Sequence, residues 1–289
     1  MLTVIPTSSA EHLCDGLSKH ERVRLVRSKM NKDGSRYFPD GEIYTNLPPT
    51  APDEHIVVVH SGQPSPNDGL HELEILLGLL KKRTATSIDL FFTYFPYGMM
   101  DGVFEEGELN VAESLIEKYV NYYGVSRIFI LDPHFGGREW VEKYPVASVS
   151  SIDGLKERVL AQYPDALFLA PDAGGQRRFG LSGFFKKRDN SFTVSLMNGD
   201  EMSGQIKGKT VVIVDDLVET GGTLARIAAA CRDANAAKLI AIIGHAVLPQ
   251  GVQRVREMYD EVYFTNSIAL EGEHFDVSSV ILERILPTF

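Results

Sequence analysis

The segment Thr210-Val-Val-Ile-Val-Asp-Asp-Leu-Val-Glu-Thr-Gly-Gly-Thr223 joins an apolar, β-rich run to two adjacent carboxylates and a short loop of hydroxyl and glycine residues. That order of residue types suits a phosphate. Gly221 and Gly222 let backbone N–H groups come close to an anion, Thr220 and Thr223 add hydroxyl donors, and a helix opening near Leu224 presents its positive end. Glu219 lies in the same loop. Asp215 and Asp216 would repel a phosphate laid against them, so they read as receivers of sugar hydroxyls or as groups acting through a cation. Phosphate and polyol held side by side mean a sugar phosphate. An ordinary strand, turn and helix, with paired acids capping the sheet, is the bland alternative for the same residues.

Other stretches carry polar side chains of the right types. Ala170-Pro-Asp-Ala-Gly-Gly175 precedes Arg177 and Arg178, and a glycine pair beside guanidinium groups suits a second phosphate, or else a solvated turn. Lys186, Lys187 and Arg188 follow an apolar Phe184-Phe185 edge and precede Asp189 and Asn190; a charge run of this kind is ordinarily a solvated face. Phe38-Pro-Asp-Gly-Glu-Ile43 reads by itself as an Asp-Gly turn with a packed aromatic.

The elements that must hold these groups alternate. Short apolar runs at 56–59, 87–94, 126–131, 166–170, 210–214 and 238–244 are nearly continuous in hydrophobicity, as strands of a parallel sheet covered on both faces require. Between them, Leu70, Leu73, Leu76, Leu77 and Leu80 share one helical face within 69–83, and 109–123 and 224–234 repeat the pattern. Strands alternating with helices give an α/β architecture. At 289 residues the chain suits two domains. Pro145 and the serines after it break the pattern, which sets the expected domains at 1–145 and 146–289, although the apolar stretch 277–286 is also able to return to the first.

Composition narrows the partners. With 29 basic against 39 acidic residues the net charge is −10, which disfavours nucleic acid and anionic membranes as partners. The two cysteines, Cys14 and Cys231, lack metal-ligand spacing and point to a reducing, cytoplasmic setting. No apolar run reaches the roughly 18 residues that span a bilayer, and the N-terminus lacks the pattern of an export signal.

The run VVIVDDLVETGGT resembles the phosphoribosyl-diphosphate motif of the type I phosphoribosyltransferase fold, which ribose-phosphate pyrophosphokinases share. Further segments resemble the pyrophosphokinases in order and spacing: Phe38 to Ile43, His60-Ser61, Asn67-Asp68, Tyr94-Phe-Pro-Tyr97 with Asp101, Leu131-Asp-Pro-His134, Ala170 to Gly175, and Gly244-His245. The resemblance implies two tandem type I phosphoribosyltransferase-like domains, each a mainly parallel sheet flanked by helices. It assigns ATP to Phe38, Asp40, Glu42 and Asp101, the first three often reaching a neighbouring subunit. It assigns Mg²⁺ to His134 and Asp172, and sugar phosphate to Asp215, Asp216 and Glu219 to Thr223. Lys186 and Arg188 become flap residues that neutralise charge in phosphoryl transfer, with Lys187 a competing neighbour. A homo-oligomer follows from the same resemblance.

Two departures from the family pattern bear on substrate. Tyr97-Gly-Met-Met-Asp101 lacks the Arg-Gln pair expected before Asp101, and Gly102 to Glu106 is apolar and acidic where a basic continuation is usual. The expected reaction is transfer of diphosphate from ATP to the C1 hydroxyl of ribose 5-phosphate. A larger ribose 5-phosphate ester such as ADP-ribose, the acceptor associated with divergent relatives in phage NAD salvage, fits the same chemistry. A type I phosphoribosyltransferase and a non-catalytic regulatory homologue remain the other readings.

Overall fold

The computed structural model describes residues 1–49, 55–83, 87–188, 194–197 and 199–288, with backbone alone for those described between 185 and 202. The apolar runs form parallel strands. In chain order β1 (Leu2–Pro6), α1 (Cys14–Leu17), β2 (Val23–Leu25), β3 (His55–Ser61), α2 (Pro66–Lys82), β4 (Ser87–Tyr94), α3 (Val111–Glu117), β5 (Arg127–Leu131) and β6 (Val146–Val149) build one sheet with its helices. Its order is β2-β1-β3-β4-β5-β6, every pair parallel. Strands β3 and β4 are buried along nearly their whole length, as coverage on both faces demands. The leucine stripe of α2 lies in this core beside Phe92, Phe95 and Tyr119. Pro66 begins α2, Asp68 lies in its first turn and Lys81 and Lys82 in its last, an arrangement that favours both ends of the helix dipole.

The periodic stretch 109–123 is not one α-helix. Asn110 caps α3 by accepting from the Glu113 N–H at 3.1 Å, and from Lys118 to Tyr122 the chain widens into a π turn.

A second sheet follows, again in chain order: α4 (Ile152–Gln162), β7 (Leu167–Leu169), α5 (Ala173–Phe179), β8 (Phe185–Arg188), β9 (Val194–Met197), α6 (Gly199–Ile206), β10 (Thr210–Val218), α7 (Gly222–Asp233), β11 (Lys238–Ala246), α8 (Pro249–Met258) and β12 (Glu261–Phe264). Strands β12-β11-β10-β7 are parallel, while β8 and β9 form a separate antiparallel ribbon. One face of this sheet packs on α7 and α8 residues such as Ile227, Cys231 and Val255, the other on Ile152, Leu155 and Val159 of α4. The last helix, α9 (Ser278–Ile285), packs on α1, and Ser278 Oγ donates to the Leu13 carbonyl at 3.5 Å.

The chain therefore divides into one unit of Met1–Val149, Ser267–Ala269 and Asp276–Phe289, and another of Ser150–Asn266 and Leu270–Phe275. The expected cut at 145/146 is corrected at both ends. Residues 146–149 pair with β5 as an edge strand of the first sheet, and the terminal stretch rejoins the first unit by packing on α1. Cys14 and Cys231 are buried free thiols. Among the described residues no helix is long and apolar enough to cross a membrane.

Candidate active site

In the second unit β10 outlasts the expected run. It pairs with β11 as far as Val218↔Ala246, so Asp215 and Asp216 belong to the strand instead of following it. Asp216 is buried at 2% exposure, and Arg178 of α5 donates from Nη2 to its Oδ1 at 2.7 Å. Asp215 Oδ1 accepts from the Asp216 N–H at 3.0 Å. Burial, and next the Asp216 carboxylate, push the Asp215 pKa well above the ordinary carboxylate value. Asp216 is charge-paired with Arg178, and Asp215 beside it is held above the ordinary carboxylate value by burial and by its neighbour. Side by side, the two carboxyl groups offer several oxygens to the hydroxyls of a polyol.

The loop that follows runs into a helix that opens at Gly222, two residues before the expected start near Leu224. Gly221 adopts a left-handed backbone, φ 71°, and precedes the 12-residue α7, whose first-turn N–H groups face outward at its positive end. Glu219 is half-buried and Thr220 exposed. Nearby Asp172 caps α5, with Oδ1 accepting from the Gly175 N–H at 2.9 Å, and its charge also contributes to the rise at Asp215. Asp172, Arg178, Asp215 and Asp216 therefore form one electrostatic cluster within the second unit.

The first unit holds the other candidates. Phe38, Asp40 and Glu42 lie on an exposed hairpin closed by Phe38 N–H to Glu42 O at 2.8 Å and by the bridge between Tyr37 and Ile43. The Phe38 ring meets Tyr44 edge-on at 5.7 Å. His134 follows β5 next to Asp132, whose φ of 39° turns the chain sharply after the strand. Asp101 is 5% exposed and accepts two bonds from Arg138, at 2.8 and 3.0 Å, while its carbonyl accepts from Trp140 Nε1 at 3.1 Å. Its carboxylate is therefore already engaged. Around it Met99, Met100, Val103 and Phe104 are exposed by 41% to 64%, the apolar wall foreseen from the sequence.

His134 and Asp172 thus fall in different units, and each is placed only within its own. Among the described residues no group of three or more His, Cys, Asp or Glu side chains is arranged to hold a metal. Lys186, Lys187 and Arg188 are described as backbone of β8, paired with Leu196, Ser195 and Val194; their side chains, and Asp189 and Asn190, lie outside the described part. Sequence reasoning missed Arg138, which no motif marks, and Gly251 and Arg254 of α8, for which the Pro249-Gln-Gly251 helix start was the available signal.

Two parallel α/β units, one carrying an acid pair and a glycine-rich anion loop at a strand end, define a phosphoribosyltransferase-like architecture. Residues 2–119 match the family described as the N-terminal domain of ribose phosphate pyrophosphokinase, and residues 176–280 match the phosphoribosyl transferase domain. Ribose-phosphate pyrophosphokinase 1 of Listeria monocytogenes is 27% identical over 287 residues, covering 94% of this chain and 87% of that protein. The ribose-phosphate pyrophosphokinase of Burkholderia pseudomallei is 28% identical over 265 residues, covering 88% and 82%. In fold, the crystal structure of phosphoribosylpyrophosphate synthetase from Mycobacterium smegmatis superposes with a TM-score of 0.84 at 22% identity, over 100% of this chain and 98% of that one. The chain belongs to the ribose-phosphate pyrophosphokinase family and is a transferase of that type.

Proposed function

We propose that the protein transfers diphosphate from ATP to the C1 hydroxyl of ribose 5-phosphate, giving phosphoribosyl diphosphate and AMP. The hydroxyl oxygen attacks the β-phosphorus, the bond from that phosphorus to the α–β bridging oxygen breaks, AMP leaves with that oxygen, and the hydroxyl proton passes to solvent. The observation that carries the reading is the β10–α7 junction: two adjacent carboxyl groups near the end of a strand, followed by a glycine loop and a helix start, suit a sugar phosphate. Asp215 and Asp216 would receive the sugar hydroxyls, and residues 219–223 its 5-phosphate. Phe38, Asp40 and Glu42 would hold adenine. Lys186 and Arg188, with Lys187 beside them, would neutralise charge on the transferring group. Positioning and charge suffice, without a covalent intermediate.

One imidazole and one carboxylate fit a Mg²⁺ that keeps most of its water and binds chiefly to substrate phosphates. His134 of the first unit and Asp172 of the second are the residues that the family resemblance assigns to that ion, which would supply charge neutralisation for the diphosphate. The protein is further read as a cytoplasmic homo-oligomer without nucleic-acid or membrane partners.

A second acceptor has its own support. Asp101 is engaged by Arg138, and the exposed Met99, Met100, Val103 and Phe104 replace a basic wall, which favours a larger ester such as ADP-ribose and a place in NAD metabolism. Incubation with ATP and Mg²⁺, once with ribose 5-phosphate and once with ADP-ribose, followed by AMP release and product mass, decides. AMP with ribose 5-phosphate supports the first acceptor, and AMP with ADP-ribose alone supports the second. No AMP with either acceptor overturns pyrophosphokinase chemistry and leaves a base-dependent transferase or a regulatory role.

A further inference from the structure

The last carbonyl of β10 and the next two carbonyls, in the loop, are each contacted by the segment from Val247 to Arg254. Val218 O accepts from the Val247 N–H at 2.9 Å, just beyond β11. Glu219 O lies against the backbone of Gly251 in the first turn of α8, so close that a Cβ on Gly251 would fall 1.9 Å from it. Thr220 O accepts from Arg254 Nη1 at 2.8 Å. Carbonyls of an extended strand alternate between sides; here the alternation stops. The only cis bond among the described residues is Gln63–Pro64, so the peptides after residues 218, 219 and 220 are trans, and each N–H points opposite its carbonyl. The N–H groups of Thr220 and Gly221, opposite the carbonyls that α8 contacts, therefore face away from α8 together, and convergent N–H groups of this kind bind anions.

We infer that α8 acts as a brace for the phosphate loop, with Arg254 as a positioning residue that fixes the Thr220–Gly221 peptide so that its N–H faces the acceptor phosphate. Gly251 makes the brace possible, because any side chain there would displace the Glu219 carbonyl. The Arg254 guanidinium does a second thing: its Nη1 lies 4.0 Å from where a Cβ on Gly222 would stand, and this charge raises the local potential for a phosphate. The inference rests on the reading of residues 219–223 as the acceptor-phosphate site.

Arg254 is exposed, so Arg254→Ala is expected to fold. Steady-state kinetics with the accepted acceptor should show its KM raised roughly ten- to hundred-fold, as expected for a lost hydrogen bond to a charged group. The KM for ATP should stay unchanged and kcat should change less than about three-fold. Arg254→Lys should recover part of the acceptor KM. A crystal structure of Arg254→Ala should show the Thr220–Gly221 peptide reoriented. An unchanged peptide in that structure overturns the brace, as does an acceptor KM that rises only in parallel with the ATP KM. Should the wild type turn over neither acceptor, the proposed reaction fails by itself, and the peptide orientation still judges the brace.

Discussion

Arg178 and Asp216 form a buried ion pair in which Nη2 lies 2.7 Å from Oδ1, with side-chain exposures of 12% and 3%. Its position within the second unit, one residue from Asp215, ties the charge state of the acid pair to helix α5. Removing the cation leaves the acids of the cluster facing one another, so Arg178→Met is expected to lower stability by roughly 3 kcal/mol. Asp216→Asn should cost less, because Asp172 and Asp215 still lie near the guanidinium. Denaturant unfolding reads both, and midpoints equal to wild type would show the pair to be unimportant.

The Asp101–Arg138 contact makes a different claim, because Arg138 is 47% exposed while Asp101 is 5% exposed. Arg138→Ala should destabilise the first unit by about 1–3 kcal/mol, the cost of leaving a buried acceptor without its donors. The same variant should weaken ATP binding if this guanidinium supplies the charge that the missing Arg-Gln pair would have given. Calorimetric titration with ATP at two ionic strengths measures that effect, and an unchanged affinity argues against it.

His60 supplies a pH dependence. It is fully buried, Nδ1 lies 3.0 Å from Thr7 Oγ1, and burial lowers its pKa from the usual 6.5 to about 3. A depressed folded pKa means that the unfolded chain binds the proton first, so the stability contributed by neutral His60 is complete above pH 6.5 and is lost as pH falls toward 3. Between those limits wild type should lose stability more steeply than His60→Gln. Parallel slopes from pH 7 to pH 4 would remove His60 from the account.

The basic run at β8 is the last test. Lys186→Ala and Arg188→Ala are each expected to lower kcat about 10²–10³-fold, the usual loss when a charge-stabilising donor is removed. Lys187→Ala should have a much smaller effect. A large loss at Lys187 with none at Lys186 would reassign the role to the neighbour.

Periodicity and motif carried much of this protein in advance. Largely apolar runs such as 87–94 and 210–214 have to be covered on both faces, and the leucine stripe of α2 needs a sheet beneath it, so the parallel α/β design follows from local sequence. The acid pair and glycine loop at 215–223 were legible because a strand end, two glycines and a helix start are contiguous in sequence. Other features depend on residues far apart in the chain. Residues 146–149 lie where Pro145 marks a boundary, yet pairing with β5 makes them a strand. The terminal helix returns to pack on α1, where Ser278 lies close against Gly16, and no local pattern specifies which partner a helix will choose. Asp101 found Arg138, Asp216 found Arg178, and the Thr220 carbonyl found Arg254 through the same kind of long-range contact. Sequence by itself determined most of the strands and helices and the glycine loop between β10 and α7, since those depend on neighbours within a few residues. Tertiary structure alone decided which charges are paired, how far burial perturbs Asp215 and which groups contact the loop's carbonyls, because burial and electrostatics are set by groups that only folding brings together.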